Sequence, residues 1–149
     1  MNINYFMTEA IKEAKIAFEN NEVPIGGVLV DYKTNKIIEK SFNKINKEKN
    51  AILHCEIDLI INSCKKLSQK YLNDTVMFVT LEPCIMCTAA ISEVHINKLY
   101  FGAYNEKNGG IENSQFVLKT EHTFKTEIYG GIMENDCNNL LKNFFKKLR

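Results

Sequence analysis

The chain has 149 residues, 45% of them hydrophobic and 25% charged, with a formal net charge of +1; these values fit one globular domain large enough for a real core. No apolar run approaches the roughly 18 residues that a membrane helix needs, and the opening "MNINYFMTEAIKEAKIAFENNE" lacks the continuous apolar block of a secretory leader. A single domain over residues 1–149, no membrane contact and a cytoplasmic location are therefore expected.

Phe6, Ala10, Ile11, Ala14, Ala17 and Phe18 recur at helical spacing and predict a helix over about residues 5–20. "IGGVLV" reads as a buried strand, and the polar turn "DYKTN" leads into a second strand, "KIIEKS", so the two form an antiparallel hairpin. A loop rich in Asn and Lys follows. Ile57, Ile60 and Ile61 mark a helix starting near His54, and "TVMFVT" is a third strand. Pro83 suits the first turn of a helix running through "CIMCTAAISEV". "KLYFGA" is a fourth strand, residues 103–126 form a long polar loop, and "TEIYG" is a fifth strand. Leu140, Leu141, Phe144, Phe145 and Leu148 define a terminal helix. Strands alternating with helices predict an α/β fold, a three-layer α/β/α sandwich around a mixed five-stranded sheet.

Charge is unevenly distributed. Residues 33–49 carry six lysines against two glutamates, and Lys142, Lys146, Lys147 and Arg149 crowd the last eight residues without an acid. Such runs fit a nucleic-acid footprint or merely solvated faces, and lysines at the end of a helix also complement its dipole. The five cysteines (Cys55, Cys64, Cys84, Cys87 and Cys137) form an odd set without repeated spacing, unlike an oxidised secreted scaffold. In a reducing compartment the close pair Cys84 and Cys87 reads as metal-binding or redox-active. The other three read as small buried hydrophobes.

At the first turn of a helix, positions i and i+3 share a face, so Cys84 and Cys87 can reach one ion. The helix N-terminus also favours the thiolates that zinc requires. A closed structural zinc site needs two more ligands, usually a second close pair, and the sequence contains none. A thioredoxin-like redox pair stays open on this pattern alone. "HCE" at 54–56, also at a predicted helix start, changes the balance. His54 with Cys84 and Cys87 makes three protein ligands, the number found in catalytic zinc sites that keep a position for water. At a first turn Glu56 reaches the same space without being a ligand, which is the placement of a general acid–base. The composite His54-x-Glu56 with Pro83-Cys84-x-x-Cys87 is the zinc-deaminase signature.

On these motifs the chain resembles the cytidine/deoxycytidylate deaminase superfamily, and within it the bacterial branch that deaminates adenosine in tRNA. The likeness extends to "EVPIGGVLV" around Val28, "FN" at 42–43, "TLEPCIMC", "FGAYNEKNGG" and the tail "GGIMENDCNNLLKNFFKKLR". It implies a cytidine deaminase-like fold and a zinc-dependent homodimer. It also implies hydrolytic conversion of adenosine to inosine at the wobble position of a tRNA anticodon stem-loop. By the same resemblance, zinc-activated water attacks the ring and Glu56 shuttles the proton. Asn43 reads the purine or its ribose, and Val28, Cys55 and Pro83 surround the base. Asn105, Lys107, Phe145 and Lys146 contact RNA, where stacking and phosphate charge meet. The chain departs from the family pattern at Cys55 (usually Ala), Asn105 (Asp), Glu112-Asn113 (Gly-Ser), His95 (Arg) and Thr123-Phe124 (Asn-His). Two other readings compete: a zinc deaminase of a free base such as guanine or cytosine, and a non-catalytic zinc-bearing RNA-binding module.

Overall fold

The structure is a computed structural model that describes residues 1–111 and 124–149. Its elements in chain order are α1 (Ile3–Glu19), β1 (Gly26–Asp31), β2 (Ile37–Phe42), α2 (Cys55–Leu67), β3 (Thr75–Leu81), α3 (Ile85–Glu93), β4 (Lys98–Ala103), β5 (Glu127–Tyr129) and α4 (Glu134–Lys147). The strands form one five-stranded sheet in the order β2-β1-β3-β4-β5. β1 pairs antiparallel with both β2 and β3, whereas β3–β4 and β4–β5 are parallel. The expected mixed α/β/α sandwich is thus present.

Strand alternation explains the layers. Side chains of a strand point alternately to the two faces of its sheet. Val28, Val30, Val76 and Phe78 join Phe6, Met7, Ala10 and Ile11 of α1 in one core, against which Leu140 and Leu141 of α4 also pack. Their neighbours Leu29, Met77 and Val79 enter a second core with Cys55, Leu59 and Ile60 of α2 and Ile91 of α3. Gly26 lets α1 approach β1 closely: a Cβ there would lie 2.2 Å from the Ala14 nitrogen.

Element boundaries differ from expectation by small amounts with identifiable causes. α1 starts at Ile3 because the Asn2 carboxamide accepts from the Tyr5 N–H at 3.0 Å, a side-chain N-cap. α4 begins six residues before Leu140; its first residues, Glu134, Asn135 and Asp136, are polar, so apolar periodicity does not register them. Pro83 precedes the N-cap of α3 and stands outside the helix. Within the expected polar loop, residues 104–111 fold back in hydrogen-bonded turns, with an isolated bridge between Cys84 and Gly109. Glu112, Asn113 and Thr123 lie outside the described residues.

Candidate metal centre and active site

The sites of interest lie where β3 ends and α3 begins, next to the start of α2. His54 is the N-cap of α2 and Cys84 the N-cap of α3; both have extended backbones, with φ/ψ of −65°/158° and −69°/173°. An N-cap side chain usually turns back to accept an N–H from the first turn. Neither of these forms such a bond. They face one another instead. The Cys84 and Cys87 sulfurs lie 3.7 and 3.6 Å from His54 Nδ1, and all three donor atoms fall within 4.8 Å of one another. For tetrahedral zinc, bonds of about 2.3 Å to sulfur and about 2.05 Å to nitrogen put N and S about 3.6 Å apart. The donor spacing fits that ion.

The two thiols behave as a pair sharing one proton. The Cys87 thiol donates to the Cys84 sulfur and, with the N–H groups of Cys87 and Met86, brings Cys84 down to about 5. Cys87, which keeps the proton, is pushed far above the usual thiol range by the same bond and by burial. A cation between them would take the place of that proton. Glu56, 4% exposed, sits one turn position after Cys55 at the start of α2. Burial pushes its carboxyl up to about 7, and the Cys84 sulfur adds to the rise. Its carboxyl lies within hydrogen-bonding reach of Cys87. A buried carboxyl that titrates near neutrality beside a three-donor cluster is equipped to exchange protons.

A cleft of about 430 Å³ opens over the donors, lined by His54, Cys84, Ile85, Met86, Lys107 and Gly109. Lys107 thus stands at the mouth. Asn105 serves the loop itself: its Oδ1 accepts from the Asn108 N–H at 3.1 Å. Pro83 is buried, and its carbonyl accepts from the Gly110 N–H at 2.7 Å. Asn43, at the exit of β2, is 4% exposed; its backbone N–H donates to the Ile25 carbonyl, while its side-chain Oδ1 is a buried acceptor without a partner among the described residues. Such an atom is costly unless something outside the chain satisfies it. Cys55 is buried, and its thiol donates to the Ser41 carbonyl at 3.3 Å, which commits the side chain to packing between α2 and β2.

One expectation needs correction. Val28 does not line the site: its side chain is fully buried in the α1-side core, and its backbone is paired with both Lys40 and Phe78. Strand parity is the reason, because Gly27 and Leu29, one residue either way, are the positions that face α2. Phe145 and Lys146 are not in the cleft. They line, with Lys142 and Arg149, a basic groove of about 480 Å³ on α4, across the sheet from α2 and α3. Phe144 packs on Phe18, so α4 ends beside the end of α1. His95 lies beyond the far end of α3, stacked between Tyr71 and Phe124 at 4.4 and 4.8 Å, away from the three donors.

The sequence reading passed over Glu82 and Glu22. Glu82 is 3% exposed and accepts from the N–H groups of Asn105 and Ile111, which fastens the loop that carries Lys107. Glu22, 1% exposed, accepts from the Lys47 N–H and fastens the segment after Asn43. The only signals were their places inside the quoted motifs, Glu82 in "TLEPC" and Glu22 at the start of "EVPIGGVLV".

An α/β/α sandwich that aims an imidazole and two thiols from two helix starts, with a buried carboxyl beside them, has the build of a metal-dependent hydrolytic enzyme. The sequence model of the MafB19-like deaminases matches residues 1–149, and the chain belongs to that family. It is similar to the tRNA-specific adenosine deaminase of Rickettsia bellii, at 44% identity over 144 residues covering 96% of this chain and 99% of the relative. To that of Bacillus subtilis it is 40% identical, covering 97% of this chain and 89% of the relative. A solved structure from work on A-to-I editing by tRNA:A34 deaminases superposes with a TM-score of 0.86 at 36% identity, covering 92% of this chain and 99% of that one. Guanine deaminase from Nitrosomonas europaea shares the fold, with a TM-score of 0.84 at 14% identity, covering 95% of this chain and 83% of that one.

Proposed function

We propose that this chain hydrolyses adenosine to inosine at the wobble position of a tRNA anticodon, releasing ammonia. The observation that carries this reading is the meeting of His54, Cys84 and Cys87 beside buried Glu56, in a chain whose full-length relatives are tRNA-specific adenosine deaminases. His54 Nδ1 and the two sulfurs would hold one zinc ion, which when bound supplies a Lewis acid that makes water nucleophilic at neutral pH. Glu56 takes one proton from the attacking water to ring N1, then carries that water's second proton to the amino group, which leaves as ammonia while the ring keeps the oxygen as a carbonyl. Its burial keeps the carboxyl able to do both near pH 7. The Asn43 Oδ1 acceptor holds the base or its ribose, an assignment supported by its lack of another partner among the described residues. Lys107 meets backbone phosphate at the cleft, and the α4 groove with exposed Phe145 and Lys146 offers a stacking face and charge to flanking RNA. An anticodon loop already presents its bases unpaired, which lowers the cost of placing one in the cleft. The working unit on this reading is a homodimer in the cytoplasm.

The test is to incubate zinc-loaded protein with an anticodon stem-loop bearing a wobble adenosine, and separately with guanine and cytosine. Inosine in the RNA with no free-base turnover is expected. Free-base turnover without inosine overturns the proposal.

A further inference from the structure

We infer that Asp58 is a positioning residue that aligns Asn43 with the catalytic turn of α2. Asp58 lies one helical turn after His54, and its N–H closes that turn on the His54 carbonyl at 3.0 Å. Its carboxylate reaches the exit of β2. There one oxygen, Oδ2, accepts from the Ser41 hydroxyl at 2.5 Å and the Lys44 ammonium at 2.8 Å. Ser41 and Lys44 bracket Phe42 and Asn43, so one carboxylate grips the chain on both sides of the asparagine.

Three observations make this more than a surface ion pair. The partners are mostly buried, with side-chain exposures of 20% for Lys44 and 13% for Asp58, so water screens them little. The Lys44 ammonium also sits 4.9 Å over the Phe42 ring, which restricts the chain between the two grips. The Cys55 thiol adds a third tie from the same helix turn to the Ser41 carbonyl. Burial alone would raise the Asp58 carboxyl, yet the bonds from Lys44 and Ser41 hold it below the usual range, as a permanently charged clamp requires. The result is a rigid link between the segment carrying the Asn43 acceptor, unpartnered among the described residues, and the turn carrying His54 and Glu56. Charged hydrogen bonds of this kind hold geometry tightly, and an ångström of displacement is costly in an active site.

The inference rests on the proposed role of Asn43, and a double-mutant cycle on the zinc-loaded enzyme separates the two. Asp58→Asn, which is nearly isosteric but loses the charge, should lower kcat/KM for the anticodon stem-loop about tenfold, the scale of one charged hydrogen bond. In an Asn43→Ala background the same substitution should change kcat/KM by less than about twofold, because there is no longer an amide to align. Zinc content should stay at one per chain throughout. Ser41→Ala, which removes one arm of the clamp, should repeat the pattern on a smaller scale, and it replaces Asp58→Asn if that variant does not fold. A loss of equal size in both backgrounds overturns the inference, as does unchanged kcat/KM in the single variants. If the unsubstituted protein forms no inosine from the stem-loop, the proposed function falls and this inference with it; additive losses in an active parent remove the inference alone.

Discussion

The starts of α1 and α2 show two different uses of the same position. At α1, Asn2 turns its side chain back onto the helix and satisfies the Tyr5 N–H. At α2 the N-cap is His54, which leaves the first turn without a side-chain cap and points outward to two sulfurs; α3 repeats the pattern with Cys84. A missing N-cap costs about 1 kcal/mol. α4 also starts without a side-chain cap, at Met133, so the missing bond is not by itself the mark; what sets α2 and α3 apart is that their N-cap side chains turn to one another, and there local stability yields to chemistry.

The comparison can be broken or sharpened experimentally. The largest effect is expected from Glu56→Ala. It should reduce inosine formation by about 10²–10⁴-fold, the range for a lost general acid–base, with zinc still bound at one per chain; activity that persists would refute the assigned proton transfer. Cys84→Ser is next and tests the cap directly. Serine caps helices well but ligates zinc poorly, so the metal-free variant should be up to about 1 kcal/mol more stable than the parent in urea melts. The stabilisation that the parent gains on adding zinc should disappear from it. A variant that still gains stability from zinc would show that Cys84 is not a ligand. Asn2→Ala should lower stability by about 1 kcal/mol and leave kcat/KM within about twofold, since that cap serves only the fold.

The smallest effect concerns charge on α1. Glu9, 7% exposed, is held below the ordinary carboxylate value of 4.5 by bonds first from Lys12 and then from Lys40. A depressed carboxylate adds stability above its unfolded pKa and loses it as pH falls through the folded one. Glu9→Gln should therefore lower stability at pH 7, where that contribution is fully present, and converge on the parent as pH falls below 4.5, which flattens the acid limb. Lys12 is 62% exposed, so added salt should shrink even this difference. An acid limb as steep in the variant as in the parent would exclude Glu9 as its source.

How much of this was legible in the sequence follows from the range of each interaction. The sheet's inner strands were readable because alternation and β-branched runs are local signals, and α1 because its apolar stripe repeats every turn. His54, Cys84 and Cys87 were readable because few structural demands place a histidine or a cysteine pair at a helix start. Val28 was misplaced because only the pairing register decides which parity of β1 faces α2, and register depends on β2 and β3. Glu22, Asp58 and Glu82 were invisible as anchors because an acid bonded to a distant segment looks, in sequence, like any solvated acid. Their partners lie at Lys47, at Ser41 and Lys44, and at Asn105 and Ile111.

The antiparallel pairing of β1 with β3 has a consequence for how the molecule matures. Gly27 meets Val79 across a long stretch of chain, and only that closure brings the start of α2 against the start of α3. Before it, Cys84 and Cys87 are a bare local dithiol and His54 is 30 residues away. Non-local closures come late and slowly. On the proposed function, capture of an ion by all three donors requires that closure, and the rate at which added zinc becomes resistant to chelator during refolding is expected to follow it.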